Sequence, residues 1–255
     1  MIVTAVIQAR MTSTRLPGKV LMPVLGEPLL LHQVRRLRRA KTLDRLVLAI
    51  TDQPADDPLE SFARRQGLAV FRGSQADVLA RMEMAVSACA PESGVVVRVT
   101  SDCPLIDPDI VDSQVGWFLD HRDRYDYATI GPDLRLPCGT SVEVFTRQAL
   151  ADAHANAVSV HDREHVTPWI KDPENGLRNG ITPIDLDAPD VRLSVDEAAD
   201  FEAVSAIIEA LYPLNPEFTL HDVLGFLTAH PEIAAINGNV VQTTGPYAAK
   251  PARSK

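Results

Sequence analysis

The chain has 255 residues, 45% of them hydrophobic and 23% charged, with a formal net charge of −9. That length admits one large α/β domain or two small ones, and the acidic balance argues against general nucleic-acid binding, which needs a basic surface to displace counterions. Cys89, Cys103 and Cys138 share no CxxC spacing, so neither a disulfide framework nor a zinc site is expected. The first apolar run, of about six residues, has no basic stretch before it and is too short for a signal peptide, and nothing approaches the roughly 18 apolar residues of a membrane span. The expected compartment is the cytoplasm, with no membrane or nucleic-acid partner.

In chain order, Ile2 to Ile7 reads as a continuously apolar, β-branched strand of the kind buried on both faces of a parallel sheet. A polar loop runs from Gln8 to Lys19, and Leu29 to Ala40 spaces apolar residues and arginines as an amphipathic helix. Arg45 to Ile50 is a second buried strand, Asp57 to Gln66 a helix, Leu68 to Phe71 a third strand and Gln75 to Cys89 the helix after it. Gly94 to Thr100 is the clearest buried strand, and Asp107 to His121 a helix with Pro108 in its first turn. This alternation specifies a doubly wound sheet with helices on both faces. Beyond Tyr125 the pattern loosens: strands are expected at Ser141 to Phe145 and Val191 to Val195. Helices are expected at Asp162 to Ile170, Glu197 to Leu211 and Leu220 to Ala229, and a mobile tail from Thr243.

The loop Gln8-Ala9-Arg10-Met11-Thr12-Ser13-Thr14-Arg15-Leu16-Pro17-Gly18-Lys19 lies after the first strand, where open α/β sheets place their ligands. Three cations among small hydroxyl residues and a glycine suit a triphosphate, which needs cationic donors and a closely approaching backbone. The loop is neither a Walker loop nor a GxGxxG fingerprint; the plainer alternative is a basic surface loop.

QARMTSTRLPGKVL resembles the N-terminal signature of the sugar cytidylyltransferase superfamily, that of the CMP-KDO synthetases and acylneuraminate cytidylyltransferases, and within it the spore-coat polysaccharide biosynthesis protein F branch. FRGSQADVLARM from Phe71, VRVTSDCPLIDP from Val97, REHVTPWI from Arg163 and RLSVDEAADFEAV from Arg192 follow in the same order. The resemblance implies a three-layer α/β/α domain with a mostly parallel sheet, of the nucleotide-diphospho-sugar transferase type, over residues 1–242. A small dimerisation extension would lie within 131–185 and make a homodimer. It also implies transfer of CMP from CTP to an acidic sugar, with release of pyrophosphate, for surface polysaccharide or glycan synthesis. The alternatives are another acceptor or triphosphate, or a non-catalytic nucleotide-binding relative.

By that match Arg10, Arg15 and Lys19 hold the triphosphate, with Arg10, Lys19 and Asp102 as the catalytic set. Gln8, Ala9, Ser13, Ser74 and Arg81 join the nucleotide contacts. Asp102 and Asp196 each follow a strand, and a hard cation such as Mg²⁺ takes one or two protein carboxylates beside phosphate and water; the family assigns both to the metal. Either aspartate also reads as a helix N-cap, Ser74 as a cap of the next helix, and Arg81 as a solvated surface residue. In PCGTSVEVF from Pro137, Cys138 and Ser141 stand where the branch commonly has acidic residues and Glu143 is kept. Glu143, Glu164 and His165 are the candidate acceptor pocket, with His165 equally readable as a structural histidine.

Overall fold

The computed structural model describes residues 1–130, 136–186, 188 and 191–240. The tail expected from Thr243, and the first part of the segment expected as an extension, lie outside them. The backbone alternates strand and helix as expected through its first half: β1 (Ile2–Gln8), α1 (Leu29–Leu37), β4 (Arg45–Thr51), α2 (Asp57–Arg65), β5 (Ala69–Gly73), α3 (Val78–Cys89), β6 (Ser93–Thr100) and α4 (Pro108–Asp120). A two-residue hairpin, β2 (Pro23–Val24) with β3 (Glu27–Pro28), stands between the first loop and α1. The second half adds β7 (Tyr127–Thr129), β8 (Glu143–Thr146), α5 (Arg147–Asn156), α6 (Val160–His165), α7 (Pro168–Lys171), β9 (Asn179–Ile181), α8 (Ala198–Leu211), α9 (Leu220–Ala229) and α10 (Pro231–Ile236).

The main sheet has the order β5-β4-β1-β6-β8-β7-β9. β8 pairs antiparallel with both β6 and β7, and the other pairings are parallel. Because successive strand side chains point to opposite faces, β1 sends Val3, Ala5 and Ile7 into one core with α1, α2 and α4, and Val6 into the other with α3 and α5. β6 divides likewise, Val95, Val97 and Val99 against Val96. The result is the expected three-layer α/β/α architecture. A third core joins α8 and α9 to Leu29, Leu105, Leu193 and Val195.

Four expectations are corrected. Among the described residues Val191 to Val195 is not a strand of the sheet; it makes a single bridge, Cys138 opposite Arg192, and turns Leu193 and Val195 into the third core. The helix expected over Asp162 to Ile170 is broken into α6 and α7 at Val166, whose φ of +72° no helix accommodates. α1 ends at Leu37 instead of Ala40, and α3 begins at Val78 with Asp77 as its cap, accepting the Ala80 N–H.

Candidate active site

The first loop is shaped by its own backbone and one buried carboxylate. Gly18 sits at φ +73°, a region glycine enters without steric cost, and its N–H donates to the Met11 carbonyl at 2.9 Å to close the loop. Ser13 Oγ accepts the Leu16 N–H at 3.4 Å. At the loop's other end the Met11 N–H donates to Asp56 Oδ1 at 2.7 Å, while Asp56 Oδ2 accepts from the Thr51 N–H and hydroxyl at 2.8 and 2.5 Å. Asp56 is fully buried and ties the loop to the C-terminal end of β4. Sequence reasoning missed it, although it follows its strand much as Asp102 follows β6.

Two of the loop's three cations, Lys19 and Arg15, converge on Asp196. Lys19, only 8% exposed, donates from Nζ to Asp196 Oδ1 at 2.9 Å and to the Val195 carbonyl at 2.6 Å; Asp102 Oδ2 lies 4.0 Å from the same nitrogen. Arg15 Nη2 reaches Asp196 Oδ1 at 2.9 Å and Arg192 Nη2 reaches Oδ2 at 2.8 Å. Burial alone would raise the Asp196 pKa, but Lys19, Arg15 and Arg192 hold it below the usual carboxylate range. The Val195 N–H donates to the Asp102 carbonyl at 2.7 Å, so the two aspartate-bearing segments are joined beside the lysine. Asp196 does not cap α8. Glu197 does, in a capping box with Asp200, and the buried Asp200 also accepts the Asp196 and Glu197 N–H groups and pairs with Arg192 Nε at 2.8 Å.

At the end of β1 the Ala9 N–H is committed to the Ala49 carbonyl at 3.1 Å and the Gln8 carbonyl accepts from the Ser101 N–H. Arg10 is solvent-exposed. Arg81 is not a surface residue: it is 3% exposed, its Nη1 donates to the Ser74 carbonyl at 2.6 Å, and its Nε meets no hydrogen-bond partner. Burial, with the charge of Arg10 adding to it, lowers the Arg81 pKa to about 10. Ser74, three residues before the true cap, accepts the Asp77 N–H at 3.0 Å. Asp77 in turn takes Arg163, the first residue of REHV, on both carboxylate oxygens.

Across the cleft, Arg98 and Glu143 stand opposite each other on β6 and β8 and form an ion pair. Glu143 Oε1 also accepts from the Tyr127 hydroxyl at 2.7 Å, the Thr167 hydroxyl at 2.8 Å and Lys171 Nζ at 2.8 Å. Against the cost of burial, Arg98 and Lys171 hold this carboxyl far below the usual range. Arg98 Nε donates to the Gln8 side-chain oxygen at 3.0 Å, linking this network to the end of β1. His165 rests against His161, ring centroids 4.6 Å apart, and burial followed by the charges around it lowers its pKa. Glu164 is exposed. Val166, between His165 and Thr167, has φ +72° and the Thr167 N–H donates to the His165 carbonyl at 2.8 Å. A β-branched residue in so tight a turn is strained, and such strain concentrates at functional sites.

A family model described as cytidylyltransferase matches residues 4–210. The chain belongs to the cytidylyltransferase family. It is 34% identical over 236 residues to the spore coat polysaccharide biosynthesis protein SpsF of Bacillus subtilis, covering 90% of this chain and 95% of that one. An 8-amino-3,8-dideoxy-manno-octulosonate cytidylyltransferase of Shewanella amazonensis is 35% identical over 131 residues, 51% of this chain and 52% of its own. Among solved structures, a cytidylyltransferase from Leptospira borgpetersenii superposes with a TM-score of 0.85 at 31% identity, covering 92% of this chain and 97% of that one.

In this cytidylyltransferase the fold brings Arg15, Lys19, Asp102 and Asp196 to one place at the C-terminal edge of the sheet, from positions up to 181 residues apart in sequence (196 − 15). Arg81 and Arg10 influence one another beside it. Glu143 belongs to the Arg98 network, and Glu164 makes none of that network's contacts described above. Among the described residues no group of three or more His, Cys, Asp or Glu side chains is arranged to hold a metal, and no helix is long and apolar enough to cross a membrane.

Proposed function

We propose that this cytidylyltransferase joins CMP from CTP to the anomeric hydroxyl of an acidic sugar. The hydroxyl oxygen bonds to the α-phosphorus, the bond from that phosphorus to the pyrophosphate oxygen breaks, and the hydroxyl proton leaves to solvent. The observation that carries the reading is the convergence of Lys19 and Arg15 with Asp102 and Asp196, within 4.0 Å at its widest link. The acidic sugar is supported by the octulosonate relative.

Arg15 and Lys19 both pair with Asp196 Oδ1 in the structure. Phosphate oxygens offer them stronger, multiply charged acceptors, so binding of CTP turns these side chains from the carboxylate toward the β- and γ-phosphates. Arg10 and the buried Arg81 approach the same chain of phosphates from the α3 side. Orientation of the α-phosphorus for in-line attack then supplies much of the acceleration.

The donor set fits a divalent cation. Asp102 and Asp196 present carboxylate oxygens 4.0 and 2.9 Å from the single position of Lys19 Nζ, and two carboxylates completed by phosphate and water are what Mg²⁺ commonly takes. We assign the two aspartates to Mg²⁺, which when bound would neutralise the charge that develops as pyrophosphate departs.

We also place the enzyme in the cytoplasm, as a homodimer formed through residues 131–185 of a single domain spanning 1–242. Supporting this, Val158 and Val160 of that segment are largely exposed; sedimentation of the purified chain as a monomer would remove the dimer. The reaction is tested by incubating the protein with each of the four triphosphates and a panel of acidic sugars, with pyrophosphate as the readout. Release confined to CTP plus an acidic sugar is expected, and release with neutral sugar phosphates instead would replace the acceptor.

A further inference from the structure

The run from Arg192 to Asp200 folds into a clamp around Asp196. Arg192 and Asp196 stand four residues apart with no helix between them, and Asp200, in the first turn of α8, comes back to meet both. Arg192 Nη2 donates to Asp196 Oδ2 at 2.8 Å and to Asp200 Oδ2 at 3.2 Å, while its Nε donates to Asp200 Oδ1 at 2.8 Å. Asp200 Oδ2 also accepts the Asp196 N–H at 2.9 Å. The side chain and the backbone of Asp196 are therefore held by one bonded pair.

The two oxygens of Asp196 serve different cations. Oδ1 takes Lys19 and Arg15, both at 2.9 Å, and Oδ2 takes Arg192. When the triphosphate draws Lys19 and Arg15 away, Oδ1 is released and Oδ2 is not. Among the described residues Arg192 is the one of the three cations that also pairs with a fully buried carboxylate, Asp200, and leaving would strand that charge. Asn237, just past α10, closes the clamp from behind: its Nδ2 donates to the Arg192 carbonyl at 3.1 Å and to Asp200 Oδ1 at 3.0 Å.

A guanidinium touching a metal-binding carboxylate would ordinarily oppose the metal by like charge. Asp200 cancels that charge, so the trio of Arg192, Asp196 and Asp200 retains the single negative charge that Asp196 would carry alone. The clamp fixes the direction of the carboxylate without spending its charge.

We propose that Arg192, with its charge balanced by Asp200, is the positioning residue of Asp196: it holds Oδ2 so that Oδ1 is presented to a divalent cation once the triphosphate has taken Lys19 and Arg15. The proposal rests on the assignment of Asp102 and Asp196 to that cation. Hydrogen-bonded partners behind a metal ligand are commonly worth about 10- to 100-fold in metal affinity or activity. Lysine keeps the charge of Arg192 but lacks the planar fork that reaches two carboxylates at once.

The test is calorimetric titration of CTP into the full-length protein without acceptor, once with EDTA and once with saturating Mg²⁺, for the parent, Asp196→Asn, Arg192→Lys, Asp200→Asn and Asn237→Ala, with thermal melting alongside. The readout is the gain in CTP affinity that Mg²⁺ confers. Asp196→Asn is expected to lose the parent's gain. Arg192→Lys is expected to lower the gain about tenfold or more, with CTP affinity in EDTA within threefold of the parent's. Asp200→Asn, which keeps an acceptor oxygen but leaves Arg192 uncompensated, should lower it likewise and stands in for Arg192→Lys should that variant not fold. Asn237→Ala loosens the clamp without touching Asp196 and should lower the melting temperature while the gain stays within twofold. A parental gain in folded Arg192→Lys or Asp200→Asn, or a loss in Asn237→Ala as large as theirs, overturns the positioning role alone. Equal gains in the parent and Asp196→Asn overturn the metal assignment and the positioning role with it.

Discussion

At the proposed phosphate end of the cleft Arg15 and Lys19 share one oxygen of Asp196, whereas at the proposed acceptor end Glu143 answers Arg98, Tyr127, Thr167 and Lys171 together. In the first set the carboxylates of Asp196, Asp102 and Glu197 lie within 4.0 Å of the two cations, and under the proposed function a nucleotide displaces these contacts. The second is internally paired and works as framework, fixing β6 to β8 and both to α7. Substitutions should therefore separate the two ends, with binding lost at one and stability at the other.

The largest stability effect is expected for Glu143→Ala. Removing one partner of a buried ion pair strands the others, at a typical cost of about 3–5 kcal/mol; denaturant unfolding measures it, and a loss below about 1 kcal/mol would make the network peripheral. The same network sets an acid limit. The folded pKa of Glu143 is depressed below its ordinary 4.5, so its contribution is fully present above that value and is lost as pH falls below it. Stability of Glu143→Gln should depend less on pH than the parent's in that acid range.

Next in size, Lys19→Ala and Arg15→Ala should weaken CTP binding by roughly tenfold to a hundredfold each, the scale of a charged hydrogen bond, and CMP binding much less. Calorimetry with both nucleotides checks this; equal losses would mean that these cations do not face the β- and γ-phosphates. Smallest is the contrast at the start of α3. Asp77→Ala removes the cap and the Arg163 pair and should cost at least the ~1 kcal/mol of an N-cap. Ser74→Ala removes one exposed hydrogen bond and should shift the melting temperature little; equal shifts would return the cap to Ser74.

The parallel half of the sheet was legible because β1, β4 and β6 are continuous apolar runs, the pattern that burial on both faces demands. β7 and β9, three residues each, are too short for any period to register. Val191 to Val195 has the composition of a strand, yet Cys138 and its neighbours approach it for one bridge only, with Gly139 at φ +95° so close that a Cβ there would meet Ser194 N at 2.7 Å. That docking is a tertiary fact and leaves no local mark in the sequence. In the cleft, Asp102 and Asp196 could be read as site candidates because each follows an apolar run, and Lys19 because its cation-rich loop follows β1. Arg81 is a candidate only through the family resemblance, and its burial leaves no mark in the sequence; Asp56 and the Asp77–Arg163 pair, which spans 86 residues, rest on packing between separate elements and could not be read.

The central claim is that Asp196, which pairs with Arg15 and Lys19, works with Asp102 on one divalent cation once CTP has drawn those side chains away. Initial rate against Mg²⁺ concentration, at saturating CTP, for the parent, Asp102→Asn and Asp196→Asn is its most direct test, with thermal melting as the folding control. The account predicts that both variants, while folded, lose on the order of 10²-fold or more in turnover, the scale of a lost transition-state electrostatic contact. Parental turnover by Asp196→Asn at low Mg²⁺ would contradict it.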